Sequence, residues 1–307
     1  RSGITYRWKV EDLPTGGSAW FLRQILDRHN NRIDLITGDV PENDGTGALV
    51  STTTYPDRAA WDASFRGGLL YRASDRVALR AAAYSGLRLP TLNELYRPFV
   101  VFPVVTQANA ALENERLEGF ELGVDVTPAP GLGLSLTAFD NRVKNAVANV
   151  TLDANLRQRR NIDAVHARGI EASIAASLGE LSFDASAAWT DAEAQGSGFA
   201  AALDGNRPSQ TPRFVGGATL AWRPAENWLL SSTLRHVGAQ FEDDLETDLL
   251  PAATTLDAFA QVPLTETIAL ILRGENLTDE TIVTRNQRGS IDLGVPRTVW
   301  AGVKVGL

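Results

Sequence analysis

No cysteine and no methionine occur among the 307 residues, and histidine occurs only three times. Without cysteine there is no disulfide framework, no thiol nucleophile and no thiolate metal site. His29, His166 and His236 lie far apart and share no ligand-spaced motif, which leaves little material for zinc chemistry. Methionine is missing even at position 1, so a part of a longer polypeptide is expected, with no signal peptide to read. A basic surplus is missing too: 29 Lys and Arg face 37 Asp and Glu, a net charge of −8. That argues against nucleic acid as a partner, since such surfaces carry a basic stripe. Apolar runs are short. The best of them, 99–105 and 268–272, fall far below the roughly 20 residues a spanning helix needs. Helical membrane spans are thereby excluded, whereas barrels stay open because their strands show lipid only every second residue. Ser, His and Asp come together in no short segment, and Gly196-Ser197-Gly198 lacks the strand–turn–helix setting of a nucleophile elbow. Neither an enzyme nor a cofactor is expected.

What the chain does have is period-two alternation. In 119–127, Phe120, Leu122, Val124 and Val126 share one side, with Glu121, Gly123 and Asp125 on the other. A Pro-Ala-Pro-Gly turn at 128–131 follows, and Leu132, Leu134, Leu136 and Ala138 then alternate with Gly133, Ser135 and Thr137. The same pattern returns in 181–190, 213–223 and 298–307. Glu121, Asp125, Asp184, Arg213, Arg223 and Arg273 are candidates for a wet interior face. Trp222, Trp228 and Trp300 sit near expected strand ends, where an interfacial girdle places amphipathic rings.

Between these segments, gaps alternate in length. Tight turns fall at about 73–76, 128–131, 178–181, 223–227 and 263–265, and long polar connections at about 37–60, 87–116, 143–163, 193–211, 239–252 and 277–296. A soluble sandwich has no reason to place every long connection at one end of its strands. A transmembrane barrel does, with short periplasmic turns and long extracellular loops. Strands are expected near 3–11, 19–36, 61–73, 76–86, 117–127, 131–142, 164–178, 181–192, 212–223, 227–238, 253–262, 266–276 and 297–307, about thirteen in all. The expected fold is therefore all-β, a transmembrane antiparallel up-and-down β-barrel. Single-chain bacterial barrels have even strand numbers, so an odd count predicts part of a larger barrel.

Five segments carry a family resemblance. Gly86-Leu87-Arg88-Leu89-Pro90-Thr91-Leu92-Asn93-Glu94-Leu95-Tyr96 is similar to "GFRAPTLxELY". Asn109-Ala110-Ala111-Leu112-Glu113-Asn114-Glu115 resembles "NPNLxPE", departing from it at Ala110, Ala111 and Asn114. Glu121-Leu122-Gly123 resembles an "ELG" strand entry, Asn276-Leu277-Thr278-Asp279 an "NLxD" strand end, and Pro296-Arg297 the entry to a closing strand. Taken in order, these resemble the C-terminal barrel of TonB-dependent outer-membrane receptors over about 86–307, while the first 85 residues match in pattern alone. The family usually closes on an aromatic residue, and here Leu307 stands in that place: either the tail diverges or further residues follow.

The resemblance implies a barrel of about 22 strands, in an outer-membrane receptor of a Gram-negative bacterium that imports a scarce nutrient such as siderophore-bound iron or cobalamin. It implies contact with membrane lipid and lipopolysaccharide, a small-molecule ligand such as a metal chelate, and a TonB energy-transducing complex acting through an upstream plug. A passive porin-like channel or an adhesin-type barrel is the alternative. In the loops, Asn93, Glu94, Tyr96, Asn109 and Glu115 are candidates to touch ligand, and for Asn93, Glu94, Asn109 and Glu115 a role in shaping the loop backbone is the favoured reading. Pro90, Leu92, Leu95, Glu121, Gly123, Asn276, Leu277, Asp279, Pro296 and Arg297 are expected to be structural. Haem-uptake relatives carry a histidine between the two loop motifs, and 91–108 contains none. The acidic run Glu242-Asp243-Asp244-Leu245-Glu246-Thr247-Asp248 invites a hard cation but lacks a binding loop's fixed spacing, so a solvated loop is the expectation.

Overall fold

In the computed structural model, eleven strands pair in chain order into one antiparallel sheet. They are β1 (Arg66–Ser74), β2 (Val77–Arg88), β3 (Glu115–Ala129), β4 (Leu132–Lys144), β5 (Ala164–Leu178) and β6 (Leu181–Gln195). After these come β7 (Phe214–Trp222), β8 (Leu229–Val237), β9 (Ala253–Pro263), β10 (Ile268–Glu275) and β11 (Thr298–Val305). The structure describes residues 61–101, 103–287 and 289–306, together with the backbone of Thr5–Asp12, Ser18–Leu26, Arg32–Asp34 and Thr52–Thr53. Two compact units divide the chain, Arg1–Trp61 and Asp62–Leu307. In the first, Thr5–Asp12 pairs with Ser18–Leu26, which pairs in turn with Arg32–Asp34.

Turns and long connections alternate through the sheet. Residues 75–76, 130–131, 179–180, 223–228 and 264–267 join strands at one end; 89–114, 145–163, 196–213, 238–252 and 276–297 join them at the other. Gly131 and Gly179 take positive φ in two of the tight turns, a conformation that costs glycine nothing. Eleven of the thirteen expected strands lie in this sheet, and the remaining two are Thr5–Asp12 and the segment near 19–36, which forms Ser18–Leu26 and Arg32–Asp34. The expected connection at 37–60 lies outside the described residues apart from Thr52–Thr53, as do His29 and Leu307.

Register sorts the side chains onto two faces. Leu122, Ala138, Ile170, Trp189 and Phe214 stand opposite one another across β3 to β7, and Val126, Leu134, Ile174, Ala185 and Ala218 form a second such row. Phe120, Leu122, Leu136, Ile170, Trp189, Leu220 and Trp222 are all exposed. In water each such side chain forgoes about 1.5–3 kcal/mol of burial, which a soluble sheet avoids and a lipid-facing sheet does not lose. From Ile170 to Leu178 along β5 the apolar band is about 20 Å tall once strand tilt is allowed for, near the height of an outer-membrane belt. Trp222 lies on this face. Trp300 does not: it pairs with Arg273, on the polar face.

The polar face is cross-linked between strands. Arg80 of β2 donates to both Asp125 oxygens (2.6 and 3.1 Å), to Ser135 Oγ (3.0 Å) and to Thr137 Oγ1 (3.1 Å), spanning three strands. Tyr84 donates from its hydroxyl to Glu121 (2.6 Å), with Asn141 Oδ1 at 3.0 Å. The same tyrosine ring covers Gly119, its partner in register, as Phe139 covers Gly169. Each glycine admits a ring that a β-carbon would push away.

A methyl group at Gly169 would stand 2.3 Å from the Trp189 carbonyl and 2.6 Å from the Phe139 ring, whereas nothing lies within 4 Å at Gly302. Gly169→Ala should therefore cost about 1–3 kcal/mol of overpacking, and Gly302→Ala essentially nothing. The check is the temperature at which each detergent-extracted variant shifts to its unfolded gel mobility; equal shifts would contradict the glycine–ring packing.

Candidate ligand-capture loops

The long connections are folded, not draped. After Pro90, Thr91 caps the helix α1 (Leu92–Tyr96): its hydroxyl accepts from the Glu94 amide (3.3 Å), and Glu94 accepts from the Thr91 amide (2.6 Å). Arg88, at the end of β2, donates to Glu94 (3.1 Å) and to Glu115. Glu115 is buried and also accepts from the Val147 amide (2.6 Å), so one carboxylate ties the 89–114 connection to the 145–163 connection. Asn109 donates to the Arg159 carbonyl (3.0 Å), accepts from the Ala111 amide (3.0 Å), and its own amide donates to the Glu94 carbonyl (3.0 Å). Asn93 offers its carbonyl to Arg159. Asn93, Glu94, Asn109 and Glu115 thus hold the loop backbone together, and half-buried Tyr96 closes the helix beside buried Leu95.

The two connections merge into one small sheet. Phe99–Val101 pairs with Val104–Gln107, Val147–Asp153 pairs with Leu156–Asn161, and Leu156 to Gln158 run parallel to Val105 to Gln107. Beneath the loops lies an apolar core of Ala146, Val150, Ile162, Ala194, Ala200 and Leu203, with Leu245 packed against it. The 3-10 helix Gly198–Leu203 contributes two of these residues.

The acidic run is spent on the loops themselves. Asp244 accepts from the Asn149 amide (3.2 Å) and the Ser209 amide (3.2 Å), and its carbonyl accepts from Asn206 (3.1 Å). That residue therefore pins three connections together. Buried Asp243 takes the amides of Leu245 (2.9 Å), Thr247 (3.0 Å) and Asp248 (2.7 Å). Glu246 pairs with Arg207 (3.3 Å). Among the described residues no group of three metal-ligating side chains occurs. His166 meets Asp140 (2.9 Å), and His236 meets Thr254 Oγ1 (2.7 Å).

The last connection is set by Asn276, buried and at φ +48°. Its side chain donates to the Glu280 carbonyl (2.8 Å) and the Val295 carbonyl (3.2 Å) and accepts from the Glu280 amide (2.9 Å). Leu277 donates its amide to the Leu256 carbonyl (2.7 Å), and Asp279 pairs with Arg297 (3.0 Å). The Pro296 carbonyl accepts from the Thr298 hydroxyl (2.9 Å). Glu121 and Gly123 sit in the polar-face network, where a β-carbon on Gly123 would approach Arg80 Nη2 to 2.9 Å. Arg213, expected on the polar face, lies at a bend before β7 and reaches Asp191 (3.9 Å).

One group escaped the sequence reading. Arg157, Arg159 and Arg160 share the strand Leu156–Asn161, and the run Arg-Gln-Arg-Arg was its signal. Arg159 stacks over Phe99 (4.9 Å) and Arg160 over Phe199 (4.6 Å). Burial pulls the Arg159 pKa down, yet an arginine stays charged. The Arg157 side chain makes no hydrogen bond or ion pair among the described residues.

Two expectations follow. Glu115→Ala would leave the Val147 amide and Arg88 short of their buried acceptor, at about 1–3 kcal/mol; limited proteolysis should then cut 145–163 several-fold faster in the variant than in the parent. For Glu94, burial presses the carboxyl upward, but hydrogen bonds from Arg88 and from the Thr91 amide and hydroxyl outweigh it, and the pKa falls below the ordinary glutamate value. A depressed acid contributes fully above its unfolded pKa and loses that contribution as pH falls through the folded value. The α1 contact should therefore persist through the usual range near about 4.3 and open only below it. Methyl NMR of Leu95 during acidification should show this, and Glu94→Gln should abolish the transition.

Comparison with known proteins extends these observations. The family described as "TonB dependent receptor-like, beta-barrel" matches residues 28–277. The chain is 25% identical over 221 residues to the vitamin B12 transporter BtuB of Photobacterium profundum, covering 70% of this chain and 34% of that protein. It is 25% identical over 217 residues to an iron-regulated outer membrane virulence protein of Vibrio cholerae, covering 64% and 32%. The chain therefore spans about a third of the length of these relatives. Its fold is like that of the siderophore receptor PiuA from Acinetobacter baumannii, with a TM-score of 0.65 at 14% identity over 85% of this chain and 38% of that one. On the family match over most of its length, this chain belongs to the TonB-dependent receptor β-barrel family.

Proposed function

We propose that this chain forms wall and capture loops of an outer-membrane receptor that takes up a scarce nutrient, a metal chelate or cobalamin-like compound, with energy from a TonB complex acting through a plug elsewhere in the protein. The observation that carries this reading is the pairing of a two-faced sheet with a welded loop platform at one end only. An apolar face suits lipid, and a hydrogen-bonded polar face suits a wet lumen that holds a plug. Loops joined by Glu115, Asp244 and the parallel pairing at 156–158 offer a preformed surface, which lowers the ordering cost of binding. The arginines of Leu156–Asn161 give that surface a cationic strand suited to anionic chelates. Relatives named for vitamin B12 and for iron regulation support nutrient uptake as the class.

The test uses the full-length protein in a host stripped of its own receptors of this kind. Radiolabelled iron chelates and cobalamin are offered singly, with and without a proton uncoupler. Uptake of one compound, lost on uncoupling, is the expected result. Uptake of many small solutes unaffected by the uncoupler would point instead to a passive channel and overturn the proposal.

A further inference from the structure

The strand Leu156–Asn161 carries three guanidiniums and no acid. In the small sheet that it forms with Phe99–Val101, Val104–Gln107 and Val147–Asp153, the one acid is Asp153. That residue is exposed at the hairpin end, where it accepts from the Ala154 amide (2.7 Å). The three arginines are not alike. Arg159 donates to the Asn93 carbonyl and lies over the Phe99 ring. Arg160 donates to the Gln158 side-chain oxygen (2.8 Å) and lies over the Phe199 ring. Both are held by neutral groups, which fix their places and leave their charges uncancelled. The Arg157 side chain is half-buried and has no such partner among the described residues. It stands on the same side of the strand as Arg159, about 7 Å along it, with Thr151 and buried Thr106 opposite it in register.

Concentrating like charge on one strand costs energy that loop rigidity alone does not require. The acids that shape the platform are spent elsewhere. Glu94 and Glu115 are taken by Arg88, Asp243 and Asp244 by backbone amides, and Glu246 by Arg207. Of these, Glu94 also acts on Arg159 at longer range, and none reaches Arg157. Resting on the uptake reading above and narrowing it, we infer that the solute is an anionic metal chelate and that Arg157 binds one of its oxyanions. Uncharged chelates and cobalamin-like compounds are then rejected. A guanidinium whose fork of N–H donors is free takes a pair of carboxylate or catecholate oxygens bidentately. Arg159 and Arg160, already committed to the loops, add field rather than contact. An uncharged compound would strip water from these cations and return no charge in exchange, which is a penalty against the wrong ligand.

The experiment uses the full-length protein in energy-depleted cells of a host stripped of its own receptors of this kind, so that binding is read without transport. The probes are two anionic ferric chelates, one with carboxylate and one with catecholate donors, an uncharged ferric hydroxamate chelate, and cyanocobalamin. The parent should bind one of the anionic chelates at least about tenfold tighter than either uncharged compound, and added salt should weaken that binding. Arg157→Gln should lose about tenfold for the anionic chelate, the order expected of one charge-assisted contact. Arg157→Lys should recover part of the loss, through charge without the fork. Proteolysis at 145–163 should run at the parent rate in both variants, because the Arg157 side chain holds no loop contact; faster cutting would mark a structural residue and overturn the inference. Undiminished binding of the anionic chelate by Arg157→Gln would overturn it too. So would a parent that prefers an uncharged compound and takes it up with energy, although the receptor reading would then stand. Failure of the parent to take up any of these compounds in an energised host would overturn both.

Discussion

A slip of one residue between neighbouring strands would exchange the two faces of the sheet, because side chains alternate with period two. Everything described above depends on that slip not occurring. The apolar belt and the polar inner face are two readings of a single register. The register is pinned from the polar side, where Arg80 bonds to side chains of two further strands and where the rings of Tyr84 and Phe139 fit over Gly119 and Gly169. On the outer face, exposed aliphatic side chains have no such specificity. In lipid they contribute solvation without direction, so the directional contacts fall to the inner face.

The second consequence concerns where the core lies. A sheet with lipid on one side and water on the other has no dry layer of its own to fill. Among the described residues, the clustered buried side chains, Ala146, Val150, Ile162, Ala194, Ala200 and Leu203, lie under the long connections. Those connections accordingly behave as a small folded layer: a capped helix, a mixed four-stranded sheet and the Asp244 junction across three segments. Rigidity of this kind favours a surface shaped before its ligand arrives.

Strands of eight or more residues were legible because alternation has room to declare itself there, and the turn–loop rhythm survives in every described connection of the large sheet. The loop elements were not. Pairs such as Gln240–Phe241 with Leu249–Leu250 are too short for any period, and the parallel pairing of 156–158 with 105–107 joins segments some fifty positions apart. Asn276 and Asp279, expected at a strand end, both take positive φ, and their side chains bond across the last connection. Asn93, Glu94, Asn109 and Glu115 read first as loop-shaping residues, and their partners, which no sequence spacing shows, are groups of the loops themselves. Arg157, Arg159 and Arg160 passed unnoticed because a basic run inside an acidic chain reads as an ordinary solvated strand until its aromatic partners, Phe99 and Phe199, are located.

The absence of cysteine with which the sequence opens makes the central claim directly measurable. Single cysteines at Leu122, Ala172 and Leu220 on one face, and at Thr137, Ser173 and Thr219 on the other, can each carry a nitroxide probe in the full-length protein within outer-membrane vesicles. The account predicts that the first set collides with oxygen, which concentrates in lipid, and the second with a water-soluble nickel chelate, alternating from face to face along β3 to β7. Uniform accessibility along those strands, or the opposite alternation, would contradict the register and the two-faced sheet built on it.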